Sequence, residues 1–232
     1  MLPGKSISFV IPMYNESGAI ADTIERLTGA AKGLTDDYEI IVSNDASTDN
    51  SGAIVDEISR KDPHVKAEHL KKNTKFGGAL KAGIYRARKD IIVYTDSDFP
   101  IRPEDIREAL LLLQGCDMVT AYSKIKKGET FRRVIMSKVY NFLIQFLFRT
   151  NIKDINSGFK IFKRKVFKNM RLISESPFID VEIFVRALKR NFTVKQYPII
   201  FRNREHGKSY ISRAPVILRT MTDMLRFKFS RK

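Results

Sequence analysis

Residues 90–98, Asp-Ile-Ile-Val-Tyr-Thr-Asp-Ser-Asp, constrain the fold more than any other stretch of this chain. A short run of β-branched and aromatic residues stops abruptly at two carboxylates placed two residues apart. Such a run reads as a buried parallel strand opening onto a ligand cleft, because open α/β sheets bind ligands beyond the carboxyl ends of their strands. Along extended backbone, side chains i and i+2 point the same way. Asp96 and Asp98 can therefore close on one divalent cation, leaving its other positions to phosphate oxygens and water. A strand ending in a plain polar turn would use the same residue types, since Asp and Ser are common turn formers.

The surrounding sequence supplies the rest of such a sheet. Residues 6–13, 38–43, 65–70 and 117–122 are strand-like, and helices are predicted over 18–31, 52–60, 103–115 and from Gly77-Gly78 to residue 88. The helix at 103 has Pro103 in its first turn, with Glu104 and Asp105 at its positive end. Strands alternating with helices over the first ~120 residues predict an α/β fold, a mostly parallel sheet with helices on both faces. Three predicted strand ends carry polar groups: Tyr14-Asn15-Glu16, Asn44-Asp45 and Asp96-Ser97-Asp98. A doubly wound sheet gathers them along one edge.

Composition narrows the partners. A net charge of +16 on 232 residues calls for a polyanion: nucleic acid, an anionic lipid surface or phosphorylated substrates. No aromatic stacking motif or recognition-helix pattern is present, which argues against nucleic acid. Neither Gly-x-x-x-x-Gly-Lys-Ser/Thr nor Gly-x-Gly-x-x-Gly occurs, which weighs against ATPase and dehydrogenase chemistry. The single Cys116 excludes an internal disulfide and suits a reducing compartment. His64, His69 and His206 lack metal-ligand spacing.

The second half reads differently. Residues 131–149 are apolar almost throughout, with Ser137, Asn141 and Gln145 spaced by four into one narrow polar stripe. Such a helix is either buried with a polar seam facing a site or laid in a membrane interface. Residues 210–232 are amphipathic and strongly basic. No apolar stretch reaches the roughly 18 residues of a spanning helix.

Taken together, IPMYNES, IIVSNDASTDNS, KKNTKFGGALKAGIYRARKDIIVYTDSDF, DINSGFKIFKR and REHGKS, in this order and spacing, resemble glycosyltransferase family 2, in particular its dolichyl- and polyprenyl-phosphate sugar synthases. The resemblance implies a GT-A (Rossmann-like) fold over residues 1–210, with residues 211–232 a basic helix on the membrane surface. It implies Mg²⁺ or Mn²⁺ as cofactor and a nucleotide sugar, GDP-mannose or UDP-glucose, as donor. The reaction implied is inverting transfer of mannose or glucose to a polyprenyl or dolichyl monophosphate at the cytoplasmic membrane face. The enzyme is then expected to be peripheral on the membrane, directly or through a separate anchor subunit. A glycan hydroxyl is the alternative acceptor; it would need a carboxylate base, for which Asp154 is the candidate.

By position, the resemblance implies that Pro12, Tyr14 and Glu16 line the base and ribose pocket, with Asp45 on the base. Asp96, Ser97 and Asp98 become the DXD motif, its carboxylates holding the metal against the donor diphosphate. Asp154 and the turn ending in Lys160 lie beside the acceptor, Arg133 and Ser137 bind its phosphate with Lys160 a third acceptor-binding residue, Asp98 and Asp154 are the catalytic carboxylates, and Arg204 closes over the diphosphate. The sequence departs from the family at Asn44, where Asp is usual, at Pro100, where many members have Gln, and at Tyr210, where Lys is common. It also lacks an Arg near Ser123 that some mannosyl branches use.

Overall fold

A computed structural model describes residues 5–124, 131–201 and 214–229, with side chains from 134 and 215 onward in the last two segments. The described residues form seven strands and seven α-helices. In chain order they are β1 (Ile7–Met13), α1 (Ile20–Lys32), β2 (Tyr38–Asn44), α2 (Ser51–Lys61), β3 (Val65–His69), α3 (Lys75–Arg86), β4 (Ile91–Thr95) and α4 (Pro103–Leu112). Then follow β5 (Met118–Ser123), α5 (Phe131–Phe148), β6 (Phe159–Lys163), α6 (Ile179–Lys189), β7 (Val194–Ile199) and α7 (Ala214–Phe229). The sheet order is β3-β2-β1-β4-β6-β5-β7. All pairings are parallel except those of β6, which runs antiparallel to both β4 and β5. The chain winds outward from β1 to β3 and then returns to lay β4 on the other side of β1. That reversal opens a crevice at the carboxyl ends of β1 and β4.

Every residue of β1, β2 and β4 is buried, as expected of parallel strands covered on both faces. Alternation splits the core in two. Phe9, Ile11, Ile40 and Val93 meet α1, α2 and α4 on one face, while Val10, Ile41, Ile92 and Tyr94 meet α3, α5, α6 and α7 on the other. Helix α3 lies flush on the sheet because position 83 is glycine: a Cβ there would stand 2.5 Å from Val10 Cγ1. The helix predicted over 103–115 stops its α geometry at Leu112 and tightens into a 3₁₀ turn over Leu113–Gly115. β6, α6 and β7 had no counterpart in the sequence reading. Helix α7 is part of the packed body, with Met224 and Phe227 buried and Phe227 meeting Phe148 and Phe178.

Candidate active site

The loops after β1 and β2 are tied together at the crevice. Asn15 adopts a left-handed φ of 54°, accepts the Thr48 amide at 2.8 Å and donates its own amide to Ser47 Oγ at 3.0 Å. The Glu16 amide donates to Ser51 Oγ and the Ser17 amide to Asp49. Pro12 is buried in β1 opposite Ser43, beyond Val10, where the pairing with β4 ends, so its missing N–H costs no bond on that side. Tyr14 is partly exposed beside it. Asp45 is buried, and its Oδ1 accepts the Thr74 amide at 2.6 Å and the Thr74 hydroxyl at 2.8 Å, capping α3 from another strand. Burial outweighs those bonds and pushes its carboxyl above the ordinary range. Asn44 has a local reason: its Oδ1 accepts the Ser47 amide, which turns its Nδ2 toward His69 Nδ1 at 2.9 Å. An aspartate there would bring no donor for that nitrogen.

The end of β4 is held more tightly still. The Ser97 carbonyl accepts the Thr23 hydroxyl at 2.7 Å, and Phe99, buried with a φ of 42°, is clasped by Arg26 through its carbonyl and its ring face. On the other side the antiparallel register sets Tyr94 opposite Lys160 and Thr95 opposite Phe159, which brings Gly158 against Asp96. The Asp96 amide donates to the Gly158 carbonyl at 3.2 Å, and a Cβ on Gly158 would lie 2.8 Å from Asp96 Cγ. The Tyr94 hydroxyl donates to Asp96 Oδ1 at 2.8 Å. Burial, with Asp96 and Asp180 nearby, raises the Tyr94 pKa well above its ordinary value, so it remains a donor.

The backbone is not extended through the two carboxylates as the sequence pattern predicts: β4 ends at Thr95 and the chain turns, the Phe99 amide donating to the Asp96 carbonyl at 3.1 Å. Asp96 and Asp98 still fit a hard divalent cation by chemistry, two carboxylates in the turn after β4, one fixed by Tyr94 and pressed by the Gly158 backbone. No group of three or more His, Cys, Asp or Glu with metal-binding geometry occurs among the described residues. A cation there would complete its shell with phosphate oxygens and water.

Lys160 is placed otherwise than the resemblance implies. Its side chain is 1% exposed, with Nζ 3.1 Å from Asp180 Oδ1, donating to the Ser157 carbonyl and lying over the Tyr94 ring. A lysine so enclosed does not present its charge to an acceptor. Asp180, which the sequence reading did not single out, is fully buried; desolvation raises its carboxyl to about 6 against the pull of Lys160, and Asp96 and Asp154 push the same way. Asp154 and Asp96 are thus close enough to act on one buried acid. The only signal in sequence was two acids, Asp180 and Glu182, inside the apolar run PFIDVEIF.

Helix α5 turns its polar stripe inward, onto the loop before β6. Asn141 Oδ1 accepts the Ile155 amide at 3.1 Å, Gln145 Nε2 donates to the Ile152 carbonyl at 2.9 Å, and Asn141 Nδ2 reaches the Ser137 carbonyl. The seam therefore grips the loop that carries Asp154. Ser137, Lys138, Asn141, Phe142, Gln145 and Lys153 line an open groove of about 280 Å³ beside it. The face of α5 turned away from buried Ile144 is apolar and exposed, Phe142 at 70% and Phe146 at 74%, with Phe142 also at the rim of the groove. The Arg133 side chain and Arg204 lie outside the described residues.

Residues 8–171 match the family model described as Glycosyl transferase family 2. The chain belongs to glycosyl transferase family 2. This family 2 chain is 27% identical over 205 residues to Glycosyltransferase AglD of Haloferax volcanii, covering 84% of this chain and 33% of that protein, so it spans a third of that relative's length. It is 28% identical over 222 residues to the polyprenol monophosphomannose synthase of Mycolicibacterium smegmatis, covering 90% of this chain and 82% of the synthase. In fold it is similar to the glucosyl-3-phosphoglycerate synthase of Mycobacterium tuberculosis, solved with Mn²⁺, UDP and glucosyl-3-phosphoglycerate. The TM-score is 0.73 at 17% identity, covering 97% of this chain and 80% of the other. Placed in family 2, the contact between Asp96 and Gly158 joins two motifs that are 62 residues apart in sequence.

Proposed function

We propose that this family 2 chain transfers mannose or glucose, with inversion, from a nucleotide sugar to a polyprenyl or dolichyl monophosphate at a membrane surface. One observation carries the reading: α5 grips the Asp154 loop through Asn141 and Gln145 while it turns Phe142 and Phe146 to the outside. A site built for a soluble acceptor has no use for that exposed apolar face beside it. The similarity to a polyprenol monophosphomannose synthase supports the same acceptor class.

Pro12, Tyr14, Glu16 and Asp45 are the residues assigned to the nucleoside, and Arg204 to the donor diphosphate. Asp96 and Asp98 would hold Mg²⁺ or Mn²⁺, which supplies charge neutralisation for the departing nucleoside diphosphate. A lipid phosphate is ionised at neutral pH and can attack the anomeric carbon directly once aligned, so the chain's work is positioning. Arg133 and Ser137 are assigned to the acceptor phosphate, with Asp154 beside it. Among the described residues no helix is long and apolar enough to cross a membrane. The apolar outer faces of α5 and of α7, the latter with Leu218, Met221, Leu225 and Phe229 exposed, are proposed to rest on the cytoplasmic face, with a separate anchor subunit as the other route.

The test is calorimetry with GDP, UDP, GDP-mannose and UDP-glucose, with Mn²⁺ and with chelator, followed by sugar transfer to a polyprenyl phosphate in vesicles. Mn²⁺-dependent binding of one nucleoside diphosphate, lost in Asp98→Ala, together with transfer to the lipid, is the expected result. Absence of binding to all four removes the transferase reading. Binding with transfer only to a glycan hydroxyl removes the lipid acceptor.

A further inference from the structure

The strongest unassigned feature is the buried ion pair behind the strand end that carries Asp96. We propose that Lys160 and Asp180 form a positioning pair that fixes the Asp96 carboxylate and the turn at 154–158 for binding of the metal–nucleotide donor, an inference that rests on the donor site proposed above.

Lys160 and Asp180 are each nearly devoid of exposure, with 3.1 Å between Nζ and Oδ1. Burying two charges is costly, and apolar residues of like volume usually serve stability as well or better. Stability alone therefore does not account for the pair. Its contacts do. Nζ donates to the Ser157 carbonyl, which holds the turn between Asp154 and Gly158. It also sits 5.0 Å from the centroid of the Tyr94 ring, whose hydroxyl donates to Asp96 Oδ1. The antiparallel register makes this a direct cross-strand neighbour relation, Tyr94 against Lys160.

One ammonium thus supports both halves of the site, and Asp180, at the first turn of α6, pins that ammonium from behind. Lys160 also sets one positive charge among three carboxylates, since Asp180 is pushed up by Asp96 and Asp154 as well as by burial. Without it the three acids would repel, and Asp96 would turn away from its Tyr94 contact. The groups facing the pair come from β4 and the turn after it (Tyr94, Asp96), the turn before β6 (Asp154, Ser157) and α5, whose Tyr140 hydroxyl feels Asp180.

The decisive variants are the apolar double substitution Lys160→Met with Asp180→Leu, which leaves no orphan charge, and Tyr94→Phe, which removes only the hydroxyl linking the pair to Asp96. Mn²⁺-dependent binding of GDP and UDP is measured by calorimetry, alongside thermal unfolding, with Lys160→Arg as the charge-preserving control. The expected result is a folded double variant that binds the nucleoside diphosphate roughly 10- to 100-fold more weakly, with Tyr94→Phe weakened in the same direction and Lys160→Arg partly restored. Wild-type affinity in Tyr94→Phe, or in a folded double variant, overturns the positioning role. If the wild type binds neither nucleotide, the donor site itself is wrong, which is a separate outcome.

Discussion

Gly158 and Asp96 approach so closely that a β-carbon on Gly158 would stand 2.8 Å from the Asp96 carboxylate carbon and overlap its oxygen. The contact follows from the antiparallel pairing of β4 with β6, and it leaves the carboxylate little freedom to turn. Gly158→Ala must therefore displace Asp96, since the backbone of β6 is locked between two strands. The expected outcome is Mn²⁺-dependent nucleotide binding weakened about 10-fold or more, with only a modest change in melting temperature. Calorimetry on the purified variant checks it; unchanged affinity would mean that Asp96 holds no metal.

Asn141 is the second joint. Its Oδ1 accepts the Ile155 amide and its Nδ2 donates to the Ser137 carbonyl, so it couples α5 to the loop that carries Asp154. Asn141→Leu removes the acceptor and leaves a buried amide orphaned, costing about 1–3 kcal/mol. Stability is expected to fall by that amount in urea unfolding. Because the donor side is untouched, nucleotide affinity should stay at the wild-type level while the apparent KM for lipid phosphate rises. A fall in both would place Asn141 in the donor site instead.

How far the sequence could be read depended on whether a residue's surroundings were local. The parallel half of the fold was legible because strands covered on both faces show as continuous apolar runs and end in polar clusters that mark the crevice. The carboxylates at 96 and 98 were legible for the same reason. Lys160 was not: in Phe-Lys-Ile-Phe-Lys it shares a strand face with Phe162, and nothing local says that β5 flanks it or that Asp180 lies behind it. An ion pair made by tertiary packing leaves no periodic trace. The stripe at 137, 141 and 145 was legible as an inward seam because spacing by four is local to one helix, while its partner, the loop at 152–155, is not.

Asp117 provides a pH test of the far end of the sheet. It accepts the Thr193 amide and hydroxyl, each at 3.0 Å, and pairs with Lys165 at 2.8 Å, tying β5 to β7. Partial desolvation opposes its ionisation, but the bonds from Lys165 and Thr193 prevail and bring the carboxyl down to about 2. A folded pKa below the unfolded value of about 3.9 stabilises the protein above that value, and the stabilisation is lost as pH falls toward 2. The partner Lys165 is exposed, and screening of its charge limits the effect to on the order of 1 kcal/mol. Asp117→Asn should accordingly lower stability at neutral pH and flatten its loss on acidification through that window, as read from urea midpoints. An identical acid slope in the variant would show that the pair carries no linkage.

The outward face of α5 decides how the protein meets lipid. Ile135, Met136, Val139, Phe142 and Phe146 are all exposed, and the rings of Phe142 and Phe146 stack at 6.5 Å. Helix α7 lies against α5 through the Lys228 bond to the Leu147 carbonyl, which adds the Lys228 charge to the same neighbourhood, while Arg219 is paired with Glu175. Full burial of one phenylalanine contributes about 1.5–3 kcal/mol, and a well-placed cation near anionic lipid roughly 1 kcal/mol. Phe142→Ser with Phe146→Ser removes exposed side chains only, so the fold and nucleotide binding should survive. Sedimentation with phosphatidylglycerol vesicles should weaken about 100-fold, and added salt should weaken the wild type without abolishing its binding. If the double variant sediments like the wild type and salt releases both, the attachment is electrostatic and the apolar face of α5 is left to a protein partner.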